Sequence, residues 1–339
     1  MRVLTITSEW PTPENPVLAP FVVRQVEFLR RAGLEVDVFP FRGAKSPARY
    51  WRYWRQARAK LQQTHYDVIH AQFGQSGVLA LPKTAPLVVT MRGSDVHGII
   101  SNVSGQYTTA GRVLQQVSRV VAQQADEVIV VSRHMIDLLP KREYHVIPSG
   151  FDLDLFHPIP IAEARAQLDL PLDQPLIFFG ANPAVKRKRF GLAEAAIEVA
   201  RQEFPDIRLI PARQIPHAQI PIYMNACDAL IMVSTHEGSP DVVKEALACD
   251  LPVVSVDTGD VWERIGAIDG CVRCADDRPE TIGAGLVDVL RARRRIDGSA
   301  IRETFDETRL TEQVLAVYQQ AQQRFHRGTT HGSTAKDAS

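Results

Sequence analysis

Two glutamates, Glu237 and Glu245, carry the clearest chemical signal in this chain, because they stand eight positions apart around a favourable helix start. Between them, Ser239 can cap free backbone N–H groups, and Pro240 at the first helical position forfeits no hydrogen bond. The first carboxylate then lies in the loop before the helix, and the second about two turns along it. Since free N–H groups at a helix start bind phosphate, the spacing predicts a site for a phosphorylated, hydroxyl-rich ligand.

Apolar runs on either side of this segment indicate the strands that position it. Residues 229–233 and 252–256 are short, continuous and apolar, which is typical of buried strands. The stretch is therefore predicted to be a strand–loop–helix–strand unit whose helix begins at the carboxyl end of a strand.

The sequence of the same stretch, EGSP…KEALAC…PVVS…GD…E, resembles that of family 4 of the retaining glycosyltransferases, which carry an E-x7-E motif. The resemblance implies the GT-B architecture, an α/β fold of two Rossmann-like parallel-sheet domains facing a cleft. It also implies a hexosyltransferase that moves a sugar from a nucleoside diphosphate sugar to an acceptor hydroxyl with retention and without a metal or other cofactor. The acceptor would be a glycan or lipid-linked molecule in cell-surface glycan or glycolipid synthesis.

The resemblance also assigns roles to single positions. Glu245 holds the ribose hydroxyls, Glu237 holds hydroxyls of the donor sugar, and Lys188 stabilises the charge on the leaving diphosphate. The expected donor-binding residues are Glu245, Gly238, Ser239, Pro240, Val242, Val243, Asn182 and Arg187, and the expected catalytic residues are Glu237, Lys188 and Arg92.

A run of four basic residues, 186–189, follows a predicted strand that ends at Gly180. Such a run is usually a solvated loop, but the resemblance favours diphosphate binding, with Lys188 at the position of the family's lysine. Asn182 stands where arginine is commoner, and Arg187 is a candidate to replace it, because a guanidinium binds phosphate bidentately.

The N-terminal half carries acceptor-side candidates, Asp95 and His70. Residues 90–95, TMRGSD, resemble the family's H-G-x-D segment, with Arg92 in place of histidine. Arg92 would present a fixed cation to a leaving phosphate or an anionic acceptor group; the alternative is that it pairs with Asp95 and stiffens the turn. His70 matches a cleft-lining position, although a lone histidine at a strand end is more often structural.

Two loops depart from simple expectations. Many relatives place glycines after the first strand, whereas this chain has Pro11, Pro13, Pro16 and Pro20 there, which weakens the expectation of acceptor contacts from that loop. Residues 147–156 contain a DxD pair but resemble the family's interdomain segment, so we expect them to shape a hinge and to hold no metal ion.

Residues 46–63 predict a basic amphipathic helix that contains no acidic residue. Its inward face is expected to hold Tyr50, Tyr53, Trp54, Ala57 and Leu61. Trp51 and five basic residues lie outside that face. Such a helix can lie on an anionic membrane, and the alternative is an ordinary surface helix with an arginine stacked on Trp51.

Composition limits the remaining function classes. Acidic and basic residues both number 39, so no attraction to nucleic acid is indicated. No apolar run is long enough to cross a bilayer, and the CxxC pair Cys271 and Cys274 is predicted to be two incidental thiols of a reducing compartment. We expect a cytoplasmic protein, with peripheral contact at the inner face of the membrane left open.

Strand candidates alternate with helical patterns, which favours parallel sheets covered by helices on both faces. The predicted strands cover residues 3–7, 35–40, 68–71, 87–90, 127–131, 145–147 and 176–179, with others around Leu209, Leu230 and Val254. The predicted domains are an acceptor-side domain over 1–157, a nucleotide-sugar domain over 158–305, a helix over 306–325 that crosses back to the first domain, and a disordered tail over 326–339.

Two other function classes stay open. A sugar-nucleotide epimerase of the same fold would release nucleotide without an acceptor. A non-catalytic partner that binds a sugar nucleotide is disfavoured by the intact glutamate pair, but the altered first loop and Arg92 keep it in consideration.

Overall fold

The computed structural model describes residues 1–15, 18–42, 46–99 and 108–334, with side chains described through 327. Pro16 of the proline-rich first loop lies outside the described residues. The chain forms two compact units. The N-terminal unit comprises Met1–Ser149 together with the segment that begins at Glu307, and the C-terminal unit comprises Gly150–Asp306.

A six-stranded parallel sheet forms the centre of the N-terminal unit. Its strands are β1 Arg2–Thr7, β2 Glu35–Pro40, β3 Val68–Gln72, β4 Leu87–Met91, β5 Glu127–Val130 and β6 His145–Val146. They lie in the order β2-β1-β3-β4-β5-β6, and every pair is parallel. All residues of β3 and β4 are buried, which explains why they read as continuous apolar runs in the sequence.

Helices cover both faces of this sheet. They are α1 Pro20–Arg31, α2 Pro47–Gln63, α3 Gly74–Gly77, α4 Ser94–His97, α5 Thr109–Gln124 and, at the C-terminus of the chain, α13 Glu307–Thr334. The apolar side of α13 packs Leu310, Val314 and Val317 with Val3 and Val68 of the sheet in one buried cluster. The last helix thus belongs to the core of the N-terminal unit.

The C-terminal unit contains a five-stranded parallel sheet. Its strands are β7 Leu176–Phe179, β8 Arg208–Pro211, β9 Ala229–Met232, β10 Val253–Ser255 and β11 Val272–Arg273, in the order β11-β10-β9-β7-β8. Its helices are α6 Ile161–Gln167, α7 Phe190–Ala200, α8 Ile220–Ala226, α9 Asp241–Ala248, α10 Val261–Ile265, α11 Pro279–Ala292 and α12 Ser299–Phe305. Each unit is therefore a parallel α/β layer structure of the predicted class.

The boundary between the units falls after Ser149, earlier than the predicted boundary at residue 157. The reason is packing. Phe151 and Phe156 are fully buried in the same apolar cluster as Phe305, and the Phe151 N–H donates to the Phe305 carbonyl oxygen at 3.0 Å. The predicted hinge segment thus begins the core of the C-terminal unit.

The final helix is longer than the sequence pattern indicated. It continues through Thr334, over residues that composition predicted to be disordered, while residues 335–339 lie outside the described part of the chain. No proline interrupts residues 326–334, so the intrahelical hydrogen bonds can continue along the backbone.

Candidate functional site

The E-x7-E segment has the predicted strand–loop–helix–strand geometry, with a small shift at the helix start. Pro240 occupies the N-cap position of α9 and makes no side-chain cap. The prediction that Ser239 caps the helix is therefore wrong. The Ser239 hydroxyl instead accepts a hydrogen bond from Arg264 Nη2 at 3.1 Å, which ties the loop to α10.

Glu237 lies in the loop before α9 and is held by two cations. Lys188 Nζ and Arg187 Nη1 each lie 2.6 Å from the same carboxylate oxygen, Oε1. The Glu237 side chain is only 10% exposed and that of Lys188 15% exposed. Burial alone would raise the pKa of Glu237, but the charges and hydrogen bonds of Lys188 and Arg187 outweigh it, so the pKa is lowered and the group is ionised.

The basic loop reaches Glu237 because its backbone follows a tightly constrained path after β7. A side chain at Gly180 would place its Cβ 2.1 Å from Val242 Cγ2, so only glycine allows this strand end to pack on α9. Asn182 Oδ1 then accepts a hydrogen bond from the Ala184 N–H at 3.0 Å, which bends the loop. The Arg187 carbonyl oxygen accepts a hydrogen bond from the Thr235 N–H at 2.8 Å, joining the two loops of the site.

The expected donor-binding residues Val242 and Val243 would contribute their backbone N–H groups at the start of α9, and one of these groups already has an acceptor. The Val243 N–H donates to the Pro240 carbonyl oxygen at 3.2 Å, because the first turn closes on its own N-cap. The Val242 N–H has no hydrogen-bond acceptor within the described ranges. Among the described residues, the Val242 N–H is therefore unoccupied at the helix start.

Glu245 lies on the second turn of α9, buried to 6% exposure. His217 Nε2 lies 3.4 Å from Glu245 Oε1, and the His217 ring packs edge-to-face on Phe156 with 5.5 Å between ring centroids. Sequence reasoning missed His217, because its loop carries no recognisable motif. Its place after β8, at the same sheet edge as the other loops, is the signal that could have found it, since ligands bind beyond the carboxyl ends of such strands.

The loop after β10 packs against the loop that carries Glu237 and hydrogen-bonds to it. Gly259 has a left-handed φ of 57°, and a Cβ there would lie 2.4 Å from the Gly238 carbonyl oxygen. The Asp260 N–H donates to that same oxygen at 3.1 Å. Thr258 Oγ1 and Asp260 Oδ1 are buried without a hydrogen-bond partner among the described residues. These two oxygens could therefore form hydrogen bonds with a hydroxyl group.

In the N-terminal unit, Arg92 directly follows β4 and is held rigidly. Its guanidinium donates to Gln72 Oε1 at 2.7 Å, Gln25 Oε1 at 3.1 Å and the Ser149 hydroxyl at 2.7 Å. It also stacks on the Phe21 ring, 4.9 Å from its centroid. The structure thus supplies a fixed cation at the carboxyl edge of the sheet.

Arg92 does contact Asp95, as the alternative interpretation has it, through the backbone: the Arg92 N–H donates to Asp95 Oδ1. The fully buried Asp95 carboxylate accepts backbone N–H groups of Gly74 at 2.8 Å, Gly93 at 2.8 Å and Arg92 at 3.0 Å. Burial raises the pKa of Asp95 in spite of these hydrogen bonds. Asp95 therefore organises two turns at the sheet edge and offers little surface to an acceptor.

His70, the other acceptor-side candidate, is a buried structural group. It is fully buried, with Nδ1 2.7 Å from the Tyr318 hydroxyl and Nε2 2.7 Å from Thr90 Oγ1. Burial and the charge of Arg92 lower the pKa of His70 to about 3, so the ring is neutral. It joins α13 to the sheet and does not line an open surface.

Glu9 is a residue at the same edge that sequence reasoning did not select. It follows β1 as Arg92 follows β4, and burial together with the charge of Asp95 raises its pKa, with Arg92 opposing them. Its position two residues after the first strand was the available signal.

No group of three or more His, Cys, Asp or Glu side chains suited to a metal ion occurs among the residues that the structure describes. Asp152 Oδ1 accepts the Asp154 N–H at 3.0 Å, which is a local turn. Cys271 and Cys274 are free, and burial raises the pKa of both thiols to about 11. Within the described ranges no helix has the length and apolar character needed to span a membrane.

Solved structures with this arrangement define its class. Sucrose-phosphate synthase from Thermosynechococcus elongatus superposes with a TM-score of 0.76 at 19% identity, over 94% of this chain and 99% of that one. HepE from Anabaena in complex with UDP-glucose superposes with a TM-score of 0.68 at 16% identity, over 94% and 99%. The fold is therefore GT-B, two parallel-sheet α/β domains as found in glycosyltransferases.

Two family models then cover most of the chain. The model described as Glycosyltransferase Family 4 matches residues 2–155, and the one described as Glycosyl transferases group 1 matches residues 161–292. The chain belongs to the family 4, or group 1, glycosyltransferases.

Curated relatives include two kinds of glycosyltransferase. TuaC of Bacillus subtilis, assigned to teichuronic acid biosynthesis, is 28% identical over 78% of this chain and 83% of its own length. A D-inositol 3-phosphate glycosyltransferase of Thermobispora bispora is 25% identical over 83% of this chain and 76% of its own length.

Proposed function

We propose that this glycosyltransferase retains the anomeric configuration and moves a sugar from a nucleoside diphosphate sugar to the hydroxyl of a glycan or lipid-linked acceptor, in synthesis of a cell-surface glycan or glycolipid. The observation that carries the donor assignment is the cluster of Glu237, Lys188 and Arg187 at the start of α9. Two cations on one carboxylate leave net positive charge, which suits a diphosphate.

The nucleoside end of the donor is assigned to Glu245 and His217. Glu245 lies on the second turn of α9, close along the helix to the Val242 N–H that is proposed to meet the diphosphate. Glu245 is buried to 6% exposure, so its hydrogen bonds to ribose hydroxyls would form away from bulk water and be stronger for it.

The sugar end is assigned to the Glu237 loop. Glu237 is ionised and accepts hydrogen bonds from sugar hydroxyls, while Gly238, Ser239 and Pro240 contribute backbone contacts. Thr258 and Asp260, whose buried oxygens have no partner among the described residues, offer further hydrogen bonds on the same side.

The transfer step is catalysed by stabilisation of the negative charge that grows on the leaving diphosphate. The bond between the anomeric carbon and the phosphate oxygen breaks, the acceptor oxygen bonds to the same face of that carbon, and the acceptor proton passes to the departing phosphate oxygen. Lys188, Arg187 and the Val242 N–H stabilise the growing negative charge, the contribution that a metal ion makes in other transferases. Preorganised donors of this kind are worth about 10²–10³ in turnover for each group.

Acceptor binding is assigned to the carboxyl edge of the N-terminal sheet. Arg92 is proposed as a fixed cation there for an anionic group, and Glu9 as a hydrogen-bond acceptor for a hydroxyl. Asp95 and His70 take positioning roles, because both are fully buried.

The test is to incubate the protein with UDP-, GDP- and ADP-sugars and lipid-linked or oligosaccharide acceptors in EDTA, and to determine the anomeric configuration of the product by NMR. A product that keeps the donor's configuration supports the proposal. An inverted product, or activity that disappears with EDTA and returns with a divalent ion, contradicts it. Release of nucleotide without an acceptor, with an altered sugar, identifies an epimerase instead.

A further inference from the structure

The outward face of α2 is a concentrated positive surface with no matching acid. Residues 47–63 contain five arginine or lysine side chains and neither aspartate nor glutamate. Arg49, Arg52 and Arg55 are exposed. Within the described ranges, no hydrogen-bond or ion-pair partner contacts these three side chains.

Several exposed arginines elsewhere in the described part of the chain are paired with carboxylates. Arg291 contacts Glu203, Arg294 contacts Asp269 at 2.6 Å, and Arg278 contacts Asp276 at 2.8 Å. The chain has equal numbers of acidic and basic residues, whereas residues 47–63 hold basic residues alone, so the excess of positive charge on α2 is local. Its arrangement fits an anionic surface outside the protein.

An aromatic pair lies on the same helix. Trp51 is 61% exposed and stacks on Trp54, with 4.9 Å between ring centroids and 14° between ring planes. Trp54 is anchored, because its Nε1–H donates to the Leu81 carbonyl oxygen at 2.7 Å. Among the residues that the structure describes, no arginine stacks on Trp51, which was the expected alternative; Arg58 lies over Trp54 instead.

The rest of α2 is fixed to the protein by its opposite side. Tyr50 and Tyr53 pack on Phe41 with 5.6 Å and 5.8 Å between ring centroids, and Ala57 is fully buried. At 100° per residue, Trp51, Arg52 and Arg55 project to the side away from Ala57. Charge and the exposed indole are therefore presented together on a rigid element.

We propose that this face of α2, formed by Trp51, Arg52 and Arg55 with Arg49 at its flank, docks the protein on a lipid bilayer that contains anionic lipid. The arginines meet the lipid phosphates, and the amphipathic Trp51 ring enters the headgroup layer. The docking is independent of the donor site in the C-terminal unit, so the two can be tested separately. For a lipid-linked acceptor, docking would raise the local concentration of substrate.

The experiment is co-sedimentation with phosphatidylcholine vesicles with and without phosphatidylglycerol, with tryptophan emission measured on the same samples. The wild-type protein is expected to bind only the anionic vesicles, with a blue shift of emission. The double variant Arg52→Gln/Arg55→Gln is expected to bind roughly ten- to thirtyfold more weakly. Trp51→Phe is expected to lose most of the blue shift.

Matched controls test whether vesicle binding depends on this face of α2 or on any exposed charged or apolar side chain. Arg133→Gln/Lys141→Gln removes two exposed charges near the β5 and β6 edge of the same unit, and Leu172→Ala removes a side chain that is 67% exposed. Both should bind as the wild type does. All substituted residues are at the surface, and circular dichroism verifies folding.

The proposal is overturned if the wild-type protein does not bind anionic vesicles, or if the α2 variants bind them as tightly as the controls do. A third outcome would also overturn it: vesicle binding that leaves Trp51 emission unchanged and that inorganic polyphosphate abolishes. Such binding is typical of a general polyanion site. None of these outcomes bears on donor binding.

Discussion

Lys188 Nζ lies 2.6 Å from Oε1 of Glu237. The family resemblance assigns these two residues to different parts of the donor, the diphosphate and the sugar. If the proposed roles hold, their direct contact keeps the two groups together before a donor enters. A carboxylate that fixes its neighbouring cation also reduces the cost of ordering a lysine side chain on binding.

Replacing Lys188 tests this pairing. Lys188→Met is expected to reduce turnover about 10²–10³-fold through loss of charge stabilisation, while the melting temperature falls only a few degrees, since Arg187 still contacts Glu237. Lys186→Met is the matched control, because Lys186 belongs to the same turn and is exposed. Steady-state kinetics and thermal melts would disagree with the account if turnover survived in Lys188→Met or if both variants lost activity equally.

Replacing Glu245 tests the ribose assignment. Glu245→Ala is expected to weaken nucleoside diphosphate binding by roughly 1.5–3 kcal/mol, the range for hydrogen bonds to a charged group. The fold should survive, which circular dichroism would verify. Calorimetric titration of the nucleotide is the measurement, with Glu194→Ala on α7 as a control. Unchanged affinity in Glu245→Ala would refute the assignment.

His70 predicts a specific pH dependence of stability. Its folded pKa is about 3, below the ordinary value of 6.5. Between these pH values the unfolded chain binds a proton that the folded chain does not. The free energy of unfolding of the N-terminal unit should therefore decrease as pH falls from 6.5 towards 3, by up to about 1.4 kcal/mol per pH unit from this group.

Urea unfolding at pH 7 and pH 5 measures this effect. His70→Gln should be less stable than the wild type at pH 7 but should lose less stability on acidification. His65→Gln, at a side chain that is 91% exposed, should retain the wild-type loss. Equal losses in His70→Gln and in the wild type would mean that His70 is not buried as a neutral group.

Asp95 is expected to matter for folding more than for donor binding. Asp95→Asn leaves fewer acceptor sites for the N–H groups of Gly74, Gly93 and Arg92 and should cost about 1–3 kcal/mol of stability. Asp137→Asn, at an exposed position of the same unit, should cost almost nothing. Nucleotide titration of Asp95→Asn should match the wild type; a large loss of nucleotide affinity would show that Asp95 acts on the donor.

The sequence was sufficient to predict strands β1 to β10, because most buried parallel strands read as continuous apolar runs. It missed β11, Val272–Arg273, because two residues that are not fully buried leave no apolar run. It also located both glutamates, the basic loop and the inward face of α2. The helix start was misplaced by one position, since Ser239 meets Arg264 through tertiary contact. Local cap preferences carry no information about such a partner.

Other features depend on contacts between distant parts of the chain. Arg187 and Glu237 are separated by 50 positions, and no spacing rule predicts their contact. His217 lies in a loop without a motif, and its role follows only from the 3.4 Å approach to Glu245. Asp95 was an acceptor-side candidate with pairing to Arg92 as the alternative; its contact with the Gly74 N–H spans 21 positions, and no local pattern predicts it.

The most direct test of the account is a thermal-shift panel of UDP, GDP and ADP in EDTA, with the wild type and Glu245→Ala side by side. A ligand that binds only the folded state raises its melting temperature, by an amount that grows with the logarithm of the ratio of ligand concentration to Kd. We expect a shift with one nucleotide in the wild type, unaffected by EDTA and much smaller in Glu245→Ala. No shift with any nucleotide, or a shift that requires a divalent ion, would contradict a metal-independent donor site at the start of α9.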